Sequence, residues 1–345
     1  MKLKIIAGLI ALFLMISCTT NENLIDNSVE KWSILYATIS SPFALGVVHQ
    51  DGSLYKSDVY TNNNGKSMPA APNKIVEFLD YYYIFYTPLY KIEIIEKSTF
   101  KVKAVIDFSA DKLEPTAICF ANATDAYICH GNDTSVTLYD IYNLKIARRI
   151  KVGKYPVDIK AAGNQIFTAN IGDNTVSVID SRTHNQEAVI NVWTSPAYLD
   201  VSYDGKKVVV ISLGAGKSDQ LPKTPAKATV IDVTSRTGIS EVEIQSTKVN
   251  SSDQFPIGVS ISKTNNAVVM TKTTLLRFSL TTPDALRTVE ERAYKSIQYN
   301  SRRDEFIYLQ SSGNNYQAVT GYATSGGRKA IVNLPQEASA ILPIN

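Results

Sequence analysis

Asn164-Gln165-Ile166-Phe167-Thr168-Ala169-Asn170-Ile171-Gly172-Asp173-Asn174-Thr175-Val176-Ser177-Val178-Ile179-Asp180 has a counterpart upstream, Thr124-Asp125-Ala126-Tyr127-Ile128-Cys129-His130-Gly131-Asn132-Asp133-Thr134-Ser135-Val136-Thr137-Leu138-Tyr139-Asp140. The offset stays at 40 residues from His130/Asn170 through Val136/Val176 to Asp140/Asp180. Each copy reads as a strand, a Gly/Asn/Asp turn and a second strand that ends on an Asp suited to start a turn. Val176 and Val178 alternate with Ser177, and Val136 and Leu138 with Thr137, which predicts strands with one buried face.

Weaker copies flank the pair: Tyr82 to Thr87 with Tyr90 to Ile95, Lys207 to Ser212 with Ala228 to Asp232, Ala267 to Thr271 with Leu276 to Leu280, and Glu305 to Gln310 with Gln317 to Tyr322. Pro72, Pro115, Pro156, Pro196 and Pro256 open successive units at steps of 43, 41, 40 and 60 residues. Proline suits a strand start, where its missing N–H costs no ladder bond. A period near 40 with four short strands per unit is the signature of a propeller. Counting gives an all-β, seven-bladed β-propeller with units near 31–60, 72–106, 115–152, 156–192, 196–245, 256–290 and 295–334. Helical periodicity is nearly absent from these units. The first unit lacks an inner strand before Trp32, and the last is followed by a spare apolar segment, Ala338 to Ile344. The C-terminal strand is therefore expected to join the first blade and close the ring, removing the open edges that invite aggregation.

The N-terminus carries a different signal. Lys2 and Lys4 precede an apolar run from Ile5 to Ile16, which ends at Ser17-Cys18. This is the layout of a secretory leader, and the run is short of the roughly 20 apolar residues a spanning helix needs. The small residue before Cys18 makes the leader resemble a bacterial lipoprotein signal. The expected organisation is a signal peptide over 1–17, a polar tether over 18–30 with Cys18 lipidated, and one propeller over 31–345. The leader takes two of the 35 basic residues, leaving 33 against 32 acidic ones. No Lys/Arg block reads as a polyanion site, so nucleic acid is not an expected partner.

Phe167-Thr168-Ala169-Asn170 followed by Asn174-Thr175-Val176-Ser177-Val178-Ile179-Asp180 resembles the YVTN-type propeller repeat, and Val152-Gly153-Lys154-Tyr155-Pro156 is similar to that repeat's opening turn. Together with the leader, the chain resembles propeller lipoproteins of Bacteroidota, a group that includes surface propellers that capture cobalamin for an outer-membrane TonB-dependent transporter. The resemblance implies a lipid-anchored outer-membrane binding protein, with a corrinoid or another small nutrient as ligand, or an envelope protein as partner, a TonB-dependent transporter among them. It leaves surface and periplasmic orientation open: Glu22 and Asp26 are the only acids in the nine residues from Cys18, fewer than surface-exported lipoproteins carry. A metal-dependent, lactonase-like hydrolase and a pure assembly scaffold are the competing readings.

Chemistry-bearing motifs are few. His49, His130 and His184 fall in different units, without metal-ligand spacing, so no metal or cofactor is expected. Cys119 and Cys129 lie on adjacent expected strands with the same parity; a disulfide and two buried free thiols both remain open. Gly214-Ala215-Gly216-Lys217-Ser218 lacks phosphate-loop spacing and instead starts an insertion over 214–227; a second insertion follows at about 246–255. No nucleophile constellation can be assembled. In a propeller the loops that lead into each blade share a face with the turns between its two middle strands. Tyr155, Trp193 and Phe255 precede blade-opening prolines, while His130 and Asn170 begin the middle turns and Lys217 and Lys223 sit in the first insertion. These seven residues are the expected ligand-binding face, since rigid sheets commonly present function on loops and aromatic residues anchor interfaces.

Overall fold

The computed structural model describes residues 32–215, 224–244, 255–281, 286–312 and 315–344. Cys18, Lys217, Lys223 and the segment at 246–254 lie outside the described residues. The rest forms seven four-stranded antiparallel sheets, numbered here as blades 1 to 7 in chain order. Their inner strands are Ala338–Ile344, Lys74–Phe78, Pro115–Phe120, Pro156–Ala162, Pro196–Val201, Pro256–Ile261 and Ser296–Asn300. Blade 1 borrows its inner strand from the C-terminus: Ser33 opposes Ile344, Leu35 opposes Leu342 and Ala37 opposes Ala340. The ring closes as the spare apolar segment predicts.

The core is not one mass. Seven apolar clusters fill the seven gaps between neighbouring blades, so every middle strand is covered on both sides. In blade 4, Ile166 and Ile179 face blade 3 with Val136 and Leu138, while Phe167, Val176 and Val178 face blade 5 with Val208 and Val210. This corrects the expectation of strands with one buried face: Thr168, Asn170 and Ser177 are as buried as the valines between them. Alternation here sorts residues between two buried sides, and the polar ones must find partners inside.

They do so by a repeated device. The last residue of the second strand bonds a residue seven positions later on the third. In blade 2, the Tyr86 hydroxyl donates to Glu93 at 3.1 Å. In blade 3, His130 Nε2 and Thr137 Oγ1 hydrogen-bond at 2.7 Å. In blade 4, Asn170 Nδ2 donates to Ser177 Oγ at 2.9 Å and to Thr175 Oγ1 at 3.0 Å. The Asp ending the third strand of blades 3 and 4 starts a turn as expected, Asp140 accepting from the Asn143 N–H at 2.9 Å and Asp180 from the Arg182 N–H at 2.7 Å.

Two short helical elements depart from the all-strand expectation, a single 3-10 turn at Thr87–Leu89 in blade 2 and a helix in blade 1. The outer strand of blade 1 is only Leu54–Lys56, and a short helix, Val59–Asn64, follows it. Asp58 caps the helix by accepting from the N–H groups of Tyr60 and Thr61 at 3.1 and 3.0 Å, and Gly65 ends it in the left-handed conformation at φ 68°. Tyr60 then reaches into blade 2, donating to Glu93 at 3.0 Å.

Candidate functional site

Backbone hydrogen bonds place the expected loops on one face. Tyr155 N–H donates to the Asp133 carbonyl at 2.7 Å, and Gly172 N–H to the Lys154 carbonyl at 3.0 Å. Val192 N–H donates to the Asn174 carbonyl at 3.1 Å, and Gly214 N–H to the Thr194 carbonyl at 3.0 Å. With Gly131 N–H donating to the Glu114 carbonyl at 3.0 Å, the middle turns of blades 3, 4 and 5 are clasped to the loop that leads into their own blade, and those of blades 3 and 4 also to the loop of the next.

The side chains on this face differ in role. Tyr155 is 47 % exposed, held in the left-handed region at φ 56°, and lies over Gly172, where a Cβ would come within 2.6 Å of its ring. Trp193 is half-buried; its Nε1–H donates to the Pro225 carbonyl at 2.9 Å, and Lys227 Nζ sits 3.7 Å from its ring centroid. Both contacts tie it to the stem of the first insertion, which is also closed by Ala215 N–H donating to Thr224 Oγ1 at 2.7 Å.

Phe255, His130 and Asn170 lie inside. Phe255 is 4 % exposed. Asn170 is fully buried in its polar bridge to Ser177. His130 is buried against the edge of Phe108, with ring centroids 4.7 Å apart, and burial drops its pKa to about 4 with help from nearby Arg149, against a smaller opposing pull from Asp133. These three support the face from beneath and do not present polar atoms to a ligand above it.

Cys119 opposes Tyr127 and Cys129 opposes Ala117, a diagonal arrangement in which both thiols are free and buried. Burial pushes both thiols up. Among the described residues no three His, Cys, Asp or Glu side chains are grouped to hold a metal ion.

A second concavity, which sequence reading does not single out, runs along the ring axis. The inner strands enclose a channel of about 450 Å³. One residue per blade forms an apolar belt around it, from Ile75, Ile118 and Ile159 through Leu199 and Val259 to Ile297 and Ile341, all buried but the half-buried Ile297. The positions on either side of that belt are charged or polar in one arc: Lys74 in blade 2, Asp158 and Lys160 in blade 4, and Asp200 with the Tyr198 phenol in blade 5. Asp158 Oδ2 accepts from the Leu199 N–H at 2.8 Å, and Asp200 Oδ2 accepts from the Ile261 N–H at 2.8 Å, so each carboxylate pins the next blade. Lys160 Nζ lies 3.3 Å from Asp200 Oδ1, which holds the ammonium charged despite its enclosure. The signal for this site was present in the sequence as charged residues inside short strands that are otherwise apolar.

No family model matches the sequence, and no curated protein matches it. Solved structures do. A chain of Kuenenia stuttgartiensis hydrazine synthase superposes with a TM-score of 0.64 at 15 % identity, covering 78 % of this chain and 88 % of that one. The β-propeller domain of Myceliophteria thermophila Cps50 (Swd1) gives 0.57 at 11 % identity over 77 % and 88 %. At such identities the likeness carries the architecture and nothing of the chemistry. In architecture, then, this chain is a seven-bladed β-propeller closed by its last strand.

Proposed function

We propose that this protein is an exported lipoprotein, anchored through Cys18 in the outer membrane, whose loop face captures a small nutrient alongside an outer-membrane transporter. The observation that carries the reading is the composition of that face. Tyr155 stands exposed on a clasped loop, and Trp193 is stacked under Lys227 and bonded to the stem of the 214–227 insertion. Rigid aromatic side chains next to cations form a surface that gains much contact area at little entropic cost. The YVTN-like repeat and the leader make a corrinoid the first ligand to test.

Full-length protein in detergent, titrated calorimetrically with cyanocobalamin, haem and a glycan panel, tests the capture. A saturable corrinoid isotherm weakened by Tyr155→Ala supports it; no heat at micromolar concentration rejects the corrinoid version. Intact-protein mass spectrometry of membrane fractions tests the anchor, which requires a lipid-sized mass increment that Cys18→Ser removes. Protease treatment of intact cells then distinguishes surface from periplasmic display.

A further inference from the structure

We propose that the axial channel is a binding site for a small oxyanion, a carboxylate or phosphate group held between the ammonium groups of Lys74 and Lys160. The site lies apart from the loop face and does not depend on what that face captures.

The argument begins with the arc of charge. Two lysines and two aspartates share it, but the carboxylates are already engaged. Asp158 accepts from the backbone N–H groups of Ile159 and Leu199 at 3.0 and 2.8 Å. Asp200 accepts from Ile261 at 2.8 Å and faces Lys160 at 3.3 Å. Lys160 therefore has one partner for an ammonium with three donors. Lys74 has no hydrogen bond or ion pair among the described residues. Its side chain is reached by water yet enveloped by the inner strands, as the wall of an internal channel requires.

Enclosure without a bonded counter-charge has a measurable sign. Burial lowers the Lys74 pKa, the Asp158 carboxylate pulls only partly the other way, and Lys160 lowers it further. The channel thus holds a cation at a disadvantage, and an oxyanion would supply the missing partner.

Space is provided by the neighbours. Blade 3, between the two lysine-bearing blades, contributes Ile118 alone to the lining, and Lys74 and Lys160 line the same cavity. The opposite wall carries Gly258 and Ser296. A Cβ on Gly258 would come within 3.1 Å of Ile297, so the wall there is already as close as it can be without a side chain. The lumen that remains, about 450 Å³, accommodates a small molecule.

The test is calorimetric titration of the full-length protein with inorganic phosphate and, separately, with acetate, at constant ionic strength set by chloride. One saturable site for at least one of the two is expected, and the preferred anion identifies the group recognised. Lys74→Gln should weaken it at least tenfold, Lys160→Gln should weaken it as well, and Lys74→Arg should retain it. Lys145→Gln, on an exposed outer strand, should leave it unchanged. Thermal melts verify that each variant is folded, and the charge-conserving Lys74→Arg reports on the site whether or not the Gln variants fold. The proposal is overturned if neither anion binds saturably, if Lys74→Gln leaves the affinity within twofold, or if Lys74→Arg loses binding while remaining folded.

Discussion

At the scale of single residues, the histidine in blade 3 and the asparagine forty positions on have the same task. Each spans from the second strand to a hydroxyl on the third, facing the preceding blade. The sequence aligned them without difficulty, but it could not say that they are interior, because the surface that buries them belongs to another blade. The difference between them is titratable. His130 has a pKa near 4 in the fold against 6.5 when free, so it stays neutral while the unfolded chain takes up a proton. Its contribution is fully retained above pH 6.5 and is lost as the pH falls from 6.5 through about 4, a swing of roughly 3 kcal/mol. His130→Asn, which copies the blade 4 solution, should flatten that part of the stability profile; denaturant melts at pH 7 and pH 4.5 would read it, and an unchanged acid slope would remove His130 as its source. Trp193 is a different case, half in and half out. Trp193→Ala deletes one hydrogen bond and one stacked ammonium, so a stability loss of about 2 kcal/mol is expected. A loss near 4 kcal/mol or more would instead mark the ring as a wedge between blades, the usual cost of emptying a core site.

Elements were legible where local chemistry decides them. Prolines at the strand starts of blades 3 to 6, the Asp that begins the turn after the third strand of blades 3 to 5 and the strand pairs themselves follow from nearest-neighbour rules and appear where the repeat puts them, whereas the strand expected at Pro72 begins only at Lys74. The helix at 59–64 was missed although its signals are local too: Asp58 is a good N-cap and Gly65 a good terminator, but six residues are too few to show a period. The channel arc was missed for another reason. Lys74, Asp158 and Asp200 are far apart in the chain, and only the ring brings their strands to one axis. Between these extremes stands the turn into blade 4. Gly153 crosses over the buried Asn170, and a Cβ there would lie 2.6–2.8 Å from that side chain. Gly153→Ala should therefore destabilise by about 1–3 kcal/mol. Asn170→Ser, the residue that blade 5 uses at this position as Ser212, should recover part of the loss when the two changes are combined. Additive effects in the double-mutant cycle would show that the clash is elsewhere.

The whole molecule depends on one pairing unlike the others. Every strand bonds a neighbour in sequence except Ala338–Ile344, whose one partner, Ser33–Thr38, opens the first blade. Ending the chain at Leu334 should abolish cooperative melting, since it opens both blade 1 and the gaps on either side of it; a truncated protein that melts like the full chain would show that the remaining six blades hold the ring. The same pairing also imposes an order in time. Six blades can form as soon as their own residues have emerged, but the first to be made is the last to be finished. Until residue 344 arrives, Ser33-Ile34-Leu35-Tyr36-Ala37-Thr38 offers an uncharged, proline-free strand edge of the kind that recruits copies of itself. In a newly made chain the strand at 33–38 therefore stays vulnerable until the strand at 338–344 has followed it.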